Sequence, residues 1–385
     1  MMKEKFPLEK LKEIQTPFYY YDTDLLRSTV DAARNAAGKY NYHLHYAVKA
    51  NVNPRILSII RENGFGADCV SGGEIQAALD AGFPAGKIVF AGVGKADWEI
   101  NLALDASIFC FNVESIPELE IINDLAKAKN KTAAVALRIN PEVDAHTHHH
   151  ITTGIKENKF GINLDQLDKV LDRLEKLPSV KLTGLHFHIG SQLTDLEPFQ
   201  TLCSRAVDIQ KQLAKRKIVV DNINFGGGLG IDYEDPGHHP VPDFERYFAI
   251  FHRHFPAYPN QQIHFEPGRS IVGQSGSLIS KVLYVKEGSA KNFVILDAGF
   301  TELIRPALYE AYHKIENLFS GETKELYDVV GPICESSDCF AKQINLNKTR
   351  RGDLIAIRSA GAYGEIMASQ YNCRKLPRAY FSDLL

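Results

Sequence analysis

Several residues in this chain have types and spacings that could do chemistry, and the first is a lysine. Lys49 closes a short apolar run, Tyr46-Ala47-Val48, and precedes Ala50-Asn51-Val52-Asn53-Pro54. A lysine at the carboxyl end of a buried strand is poorly solvated, and burial disfavours its ammonium form. Such an amine can act as a nucleophile and form a Schiff base with a carbonyl. Alone, Lys49 would read as a solvated surface charge, the usual state of lysine. Its company changes that reading.

Gly226-Gly227-Gly228 follows another apolar run. Glycines let backbone N–H groups approach a phosphate closely, although a tight turn would also explain them. Gly268 lies in Glu266-Pro267-Gly268-Arg269, and Ser191 could add a hydroxyl. A buried Glu266 needs a partner. Arg269 is one candidate, and a protonated ring nitrogen is another. Pyridoxal phosphate has an aldehyde for Lys49, a phosphate for the glycines and a pyridine nitrogen for Glu266. One cofactor thus answers three features. His186 and His188 share a strand face by the period-two rule. His188 is read as the ring-stacking residue and His186 as a hydrogen-bonded core histidine.

Arg305 and Tyr309 are four residues apart, so one helical turn would aim both at a carboxylate. Cys334, in Cys334-Glu335-Ser336-Ser337-Asp338, reads either as a proton donor to a carbanion or as a buried apolar filler. Tyr363 stands between small residues, as in a close-packed turn or a cofactor contact. His146, His148, His149 and His150 invite a metal reading, but consecutive side chains diverge and no partner ligand accompanies them at a familiar spacing. No metal is expected. The stretch from His146 to Gly161 reads as a long functional loop.

Eight units of apolar run followed by amphipathic stretch must position these groups. The runs are His43–Val48, Ala67–Ser71, Lys87–Val93, Ile108–Val113, Ala133–Asn140, Leu182–Ile189, Asn222–Phe225 and Gln262–Glu266. Strand-helix alternation implies parallel pairing, and eight units predict an α/β fold, a (β/α)8 TIM-like barrel. An open doubly wound sheet is the alternative. The candidate groups fall at the strands' carboxyl ends, where barrels carry their sites. Beyond Val272 the runs Leu278–Val285, Phe293–Asp297 and Asp353–Ile357 predict a second, mostly β C-terminal domain, joined by Phe18-Tyr19-Tyr20-Tyr21. The expected domains are 28–275 for the barrel, and 1–27 with 276–385 for the second.

The 385 residues carry a formal net charge of -3, which argues against nucleic-acid or anionic-membrane partners. No apolar stretch is long enough to span a bilayer, and the first fifteen residues lack the apolar core of a signal peptide. The six cysteines form no CxxC pair and are too sparse for a disulfide scaffold, so a reducing, cytoplasmic setting is expected.

Taken together, Tyr46-Ala-Val-Lys-Ala-Asn, Ser71-Gly-Gly-Glu, His186-Phe-His-Ile-Gly-Ser-Gln, Phe225-Gly-Gly-Gly, Glu266-Pro-Gly-Arg, Arg305-Pro, Tyr309, Gly331-Pro-Ile-Cys-Glu-Ser-Ser-Asp and Gly361-Ala-Tyr-Gly carry a resemblance. The chain resembles the diaminopimelate decarboxylase family within the alanine-racemase-like, fold type III pyridoxal-phosphate enzymes, from about Tyr19 to Arg378. The resemblance implies that Lys49 bonds the cofactor and His188 stacks on its ring. Glu266 would face the pyridine nitrogen. Ser191, Gly228, Glu266, Pro267, Gly268 and Arg269 would line the phosphate site, with Tyr363 touching the cofactor. Arg269, Arg305, Tyr309 and Tyr363 would contact the substrate and its distal carboxylate, Glu335 its distal amino group. Cys334 would reprotonate the α-carbon after CO2 leaves. The implied reaction converts meso-2,6-diaminoheptanedioate to L-lysine, the last step of lysine biosynthesis, in a homodimer with shared active sites. Alternatives are a polyamine-pathway decarboxylase acting on ornithine, arginine or carboxynorspermidine, and a non-catalytic cofactor-binding regulator.

Overall fold

The computed structural model describes residues 6–143 and 159–385. Eight short strands close a parallel barrel. With Phe18–Tyr21 taken as β1, they are β2 (His43–Ala47), β3 (Gly66–Cys69), β4 (Ile88–Phe90), β5 (Cys110–Val113), β6 (Ala133–Arg138), β7 (Val180–His186), β8 (Asn222–Asn224) and β9 (Gln262–Phe265). Pairing of β2 with β9, His43 opposite His264 and Leu44 opposite Phe265, closes the ring and rules out the open sheet.

Local chemistry sets where the intervening helices begin. Asn53, Ser71, Ser115 and Asp243 each accept a backbone N–H from the first turn of the helix that follows. Such caps satisfy amides that have no intrahelical partner. The helix Pro54–Glu62 also has proline in its first turn and buries Ile56, Leu57, Ile59 and Ile60 on one stripe. Ser71, which ends the apolar run Ala67–Ser71, is thus a cap.

The barrel interior departs from the usual stack of branched aliphatics. His45, Asp68, Asn112, His186, Asn224, His264 and Glu266 are all buried. At the amino end, His45 Nε2 lies 3.0 Å from His264 Nδ1, and His45 Nδ1 lies 3.0 Å from the Lys87 carbonyl. A Cβ on Gly66 would fall 2.2 Å from the Lys87 carbonyl and 2.5 Å from His45 Nδ1, so the glycine makes room for both.

A second sheet has eight strands: β1, β10 (Gly276–Lys286), β11 (Asn292–Leu296), β12 (Ile315–Asn317), β13 (Lys324–Val330), β14 (Cys339–Asn347), β15 (Leu354–Ile357) and β16 (Arg378–Phe381). Their order is β12-β15-β10-β11-β13-β14, with β1 on β10 and β16 on β1. As expected, Phe18–Tyr21 joins this sheet, and all four of its residues are buried. Phe18, Tyr20, Ile279, Leu318 and Leu354 form the sheet's core with Phe6 and Leu11.

Contacts divide the chain into two compact units, Val30–Gly230 with Asp243–Gly268, and Met1–Thr29 with Ile231–Pro242 and Arg269–Leu385. Two segments assigned to the barrel from sequence therefore group with the sheet. The reason is local bonding. Tyr233 is hydrogen-bonded to Arg269 and Arg305, Lys314 pairs with Asp235 at 3.1 Å, and Gln274 donates to the His239 carbonyl. Among the described residues no helix is long and apolar enough to cross a membrane.

Candidate active site

Within the barrel unit, Glu266 is the hub. It follows β9, and its carboxylate accepts hydrogen bonds from three strands: Asn112 on β5 at 3.3 Å, His186 on β7 at 2.9 Å and Asn224 on β8 at 2.6 Å. These strands are not all neighbours, so the four side chains meet across the interior. Burial alone would push the Glu266 carboxyl up, but His186, its hydrogen bond and the Lys49 charge hold it well below the usual carboxylate range. The partner left open from sequence is therefore His186, and Asn112 and Asn224 had not been singled out at all.

Lys49 differs from expectation. It lies beyond β2 on a short 3-10 turn, Val48–Ala50, and its side chain is 40% exposed. A residue past the strand end leaves the packed interior, so the amine is reachable rather than desolvated. Its Nζ donates to Asp68 Oδ2 at 3.3 Å. Asp68 is fully buried, and burial followed by the Glu266 charge pushes its carboxyl up. The two buried carboxyls are thus pushed in opposite directions, Asp68 up and Glu266 down.

His188 also lies past its strand, because β7 ends at His186. The two histidines consequently differ in surroundings. His188 Nδ1 accepts the Gly227 N–H at 3.4 Å, and burial, then the Arg138 and Lys49 charges, hold its ring neutral. The glycine run is closely packed: Gly226 and Gly228 take φ of +69° and +115°. A Cβ on Gly227 would sit 2.3 Å from the Glu266 carbonyl, so close backbone packing requires glycine there. Gly268 packs against Ala47, and Ser191 lies half-buried in the loop after β7. Arg138 pairs with buried Glu114 at 2.8 Å, and its guanidinium lies over Phe160.

In the second unit, Arg269 and Arg305 are buried around Tyr233. Arg269 donates to the Tyr233 hydroxyl at 2.5 Å and Arg305 at 2.9 Å. Arg269 also stacks on Tyr363, whose φ of 56° is unusual for a tyrosine. Arg305 begins the helix Arg305–Tyr309, and Tyr309 is half-buried one turn later. Cys334 and Glu335 are exposed, which corrects the filler reading of Cys334. Glu335 accepts a hydrogen bond from Tyr371 at 2.7 Å. Among the described residues no group of acids, histidines and cysteines could hold a metal, and His146, His148, His149 and His150 lie outside them.

A family model, pyridoxal-dependent decarboxylase, pyridoxal binding domain, matches residues 24–273. The barrel with its buried anion and accessible lysine is thus that of a pyridoxal-dependent decarboxylase, and pyridoxal phosphate is its cofactor. Diaminopimelate decarboxylase of Bacteroides thetaiotaomicron is 64% identical over the full length of both chains. That of Neisseria meningitidis serogroup B is 44% identical over 96% of this chain and 89% of its own. The crystal structure of the Helicobacter pylori diaminopimelate decarboxylase complexed with L-lysine is 41% identical, with a TM-score of 0.91 over 97% of this chain and 93% of that one. The chain belongs to the diaminopimelate decarboxylase family.

Proposed function

We propose that this chain converts meso-2,6-diaminoheptanedioate to L-lysine and CO2, the last step of lysine biosynthesis. The observation that carries the reading is the Glu266 carboxylate, buried and held ionised by three donors in the same interior as the Lys49–Asp68 pair. The site fits pyridoxal phosphate. Asp68 Oδ1 and His186 Nδ1 are buried without a partner among the described residues. Such atoms are normally satisfied, so hydrogen-bonding capacity remains beside the solvent-reachable Lys49 amine and the Glu266 anion. When bound, the cofactor supplies an electron sink for the electron pair that the departing CO2 leaves behind.

The residues of this chain do the rest. Lys49 Nζ would hold the cofactor through its aldehyde. Glu266 would keep the ring nitrogen protonated, and the neutral ring of His188 would offer a flat face for stacking. Ser191, Gly228, Glu266, Pro267, Gly268 and Arg269 would hold the phosphate, and Tyr363 would serve both cofactor and substrate. Arg269, Arg305 and Tyr309 take the distal carboxylate, and Glu335 takes the distal amino group. Cys334 delivers a proton from Sγ to the α-carbon. The exposure of Cys334 and Glu335 supports a homodimer in which they serve the partner's site. Six unpaired cysteines support a cytoplasmic setting.

Purified protein with pyridoxal phosphate should release lysine and CO2 from meso-diaminopimelate, and nothing from ornithine, arginine or carboxynorspermidine. Lys49→Ala should reduce that release to background. Turnover on another of the four substrates alone would overturn the substrate assignment, and turnover by the alanine variant would overturn the role of Lys49.

A further inference from the structure

We propose that Tyr233 is a specificity-determining positioning residue, which fixes Arg269 and Arg305 around one phenol oxygen so that Arg305 presents a free edge to the substrate's distal carboxylate. The inference rests on the assignment of that carboxylate to the two arginines.

Arg305 carries the geometric argument. Its Nη1 has two protons, and both are taken. One goes to the Tyr233 hydroxyl at 2.9 Å and the other to His313 Nε2 at 3.0 Å. His313 can accept there because its Nδ1–H is committed to the Arg358 carbonyl at 2.8 Å. Nη2 and Nε of Arg305 have no partner among the described residues, and no acid pairs with Arg305 there. A buried guanidinium with only neutral acceptors on one edge is suited to grip a carboxylate bidentately with the other.

Arg269 completes the arrangement by donating to the same oxygen at 2.5 Å. Two buried guanidiniums so close repel each other, and an electron-rich oxygen between them offsets that repulsion. The Tyr233 ring adds to this, lying 5.3 Å from the Arg305 guanidinium and 5.9 Å from that of Arg269. Burial would push the Tyr233 phenol up, but Arg269 and Arg305 together pull it below the usual phenol range. The other titratable groups around the cluster include His313, edge-on to the ring, Tyr363 and Tyr309, which both bear on Arg269, and Tyr19, which feels the Arg305 charge.

The test uses two ligands that differ in one group. L-lysine keeps the carboxylate that is not lost, and 1,5-diaminopentane is the same chain without it. With wild-type holoenzyme, L-lysine should inhibit at least about 10-fold more tightly than the diamine. Tyr233→Phe keeps the ring and removes only the hydroxyl. It should erase most of that preference and raise KM for meso-diaminopimelate about 10-fold, with kcat within about 3-fold. Its melting temperature and the visible absorbance of the bound cofactor should stay near wild type.

A wild-type enzyme with no preference for L-lysine would overturn the carboxylate assignment itself. A wild-type preference that Tyr233→Phe retains would overturn this inference alone. So would a joint loss of kcat, cofactor and melting temperature, which would mark Tyr233 as merely structural. If the variant fails to fold, ultraviolet titration of the wild-type holoenzyme decides. L-lysine, but not the diamine, should raise the pH at which one half-buried tyrosine ionises, because an added anion weakens the pull of the arginines. No such shift would sink the inference.

Discussion

The two charged hubs of this molecule are built on opposite plans. In the barrel a single anion, Glu266, gathers three donors from β5, β7 and β8. In the second unit two cations, Arg269 and Arg305, share one neutral acceptor, Tyr233. Each hub is buried, where an uncompensated charge is costly. The barrel hub meets that cost with fixed dipoles on rigid strands, and its charge stays inside the protein's own network. In the second hub Arg305 is compensated less, since its acceptors are a phenol and an imidazole. The contrast teaches where an external ion belongs. A fully supplied anion suits a proton held on a cofactor, whereas the Arg305 guanidinium, held by a phenol and an imidazole, suits an incoming carboxylate.

Removing each hub's charge should therefore damage different kinetic constants. Glu266→Gln keeps the shape but abolishes the anion, so the largest effect is expected there. A loss of roughly 10^2 to 10^3-fold in kcat should appear, with a much smaller change in KM. Steady-state kinetics with cofactor occupancy checked by visible absorbance would measure it, and an unchanged kcat would remove Glu266 from the chemistry. Arg305→Gln should act the other way. KM for meso-diaminopimelate should rise roughly 10- to 100-fold, the equivalent of about 1.5–3 kcal/mol for a hydrogen-bonded charge, while kcat changes less. If both variants lowered kcat alike, the two hubs would not be separable and the comparison would fail.

Much of the barrel hub was legible in the sequence, and its partners were not, for a physical reason. Lys49 and Glu266 announce themselves locally, at the ends of apolar runs beside small residues. Asn112, His186 and Asn224 reach Glu266 across sequence separations of 154, 80 and 42 residues, and no local spacing encodes such meetings. A signal existed nonetheless. Asn222 with Asn224, and His264 with Glu266, are polar residues at alternate positions of otherwise apolar runs. By the period-two rule each pair shares a face, and two polar residues on a buried face imply a polar interior. His188 was displaced from the shared strand face because the strand stops at His186, and strand ends are the least legible feature of a sequence. Tyr233 carried no signal at all. It sits in a loop after the glycine run and meets Arg305 from 72 residues away.

The smallest expected effect contrasts the two imidazoles. His186 faces an anion, whereas His313 faces the Arg305 cation and is fully enclosed. Burial first, and then Arg305, lower His313 to about 3. The sign follows directly. Between the ordinary histidine value of about 6.5 and about 3 the unfolded chain binds this proton and the folded one does not. Stability therefore rises with pH across that window and is lost as pH falls from 6.5, at most about 1.4 kcal/mol per pH unit. His313→Gln cannot titrate. It should be less stable than wild type near neutrality, by about 1 to 2 kcal/mol for the disturbed hydrogen bonds. That deficit should shrink as pH falls below 6.5, because the wild type alone carries the penalty. Thermal unfolding of both proteins at pH 7.5 and 5.5 measures it. A deficit of the same size at both values would mean that His313 takes up its proton while folded, beside Arg305. The second hub would then tolerate a third positive charge, and its contrast with the anion hub of the barrel would be lost.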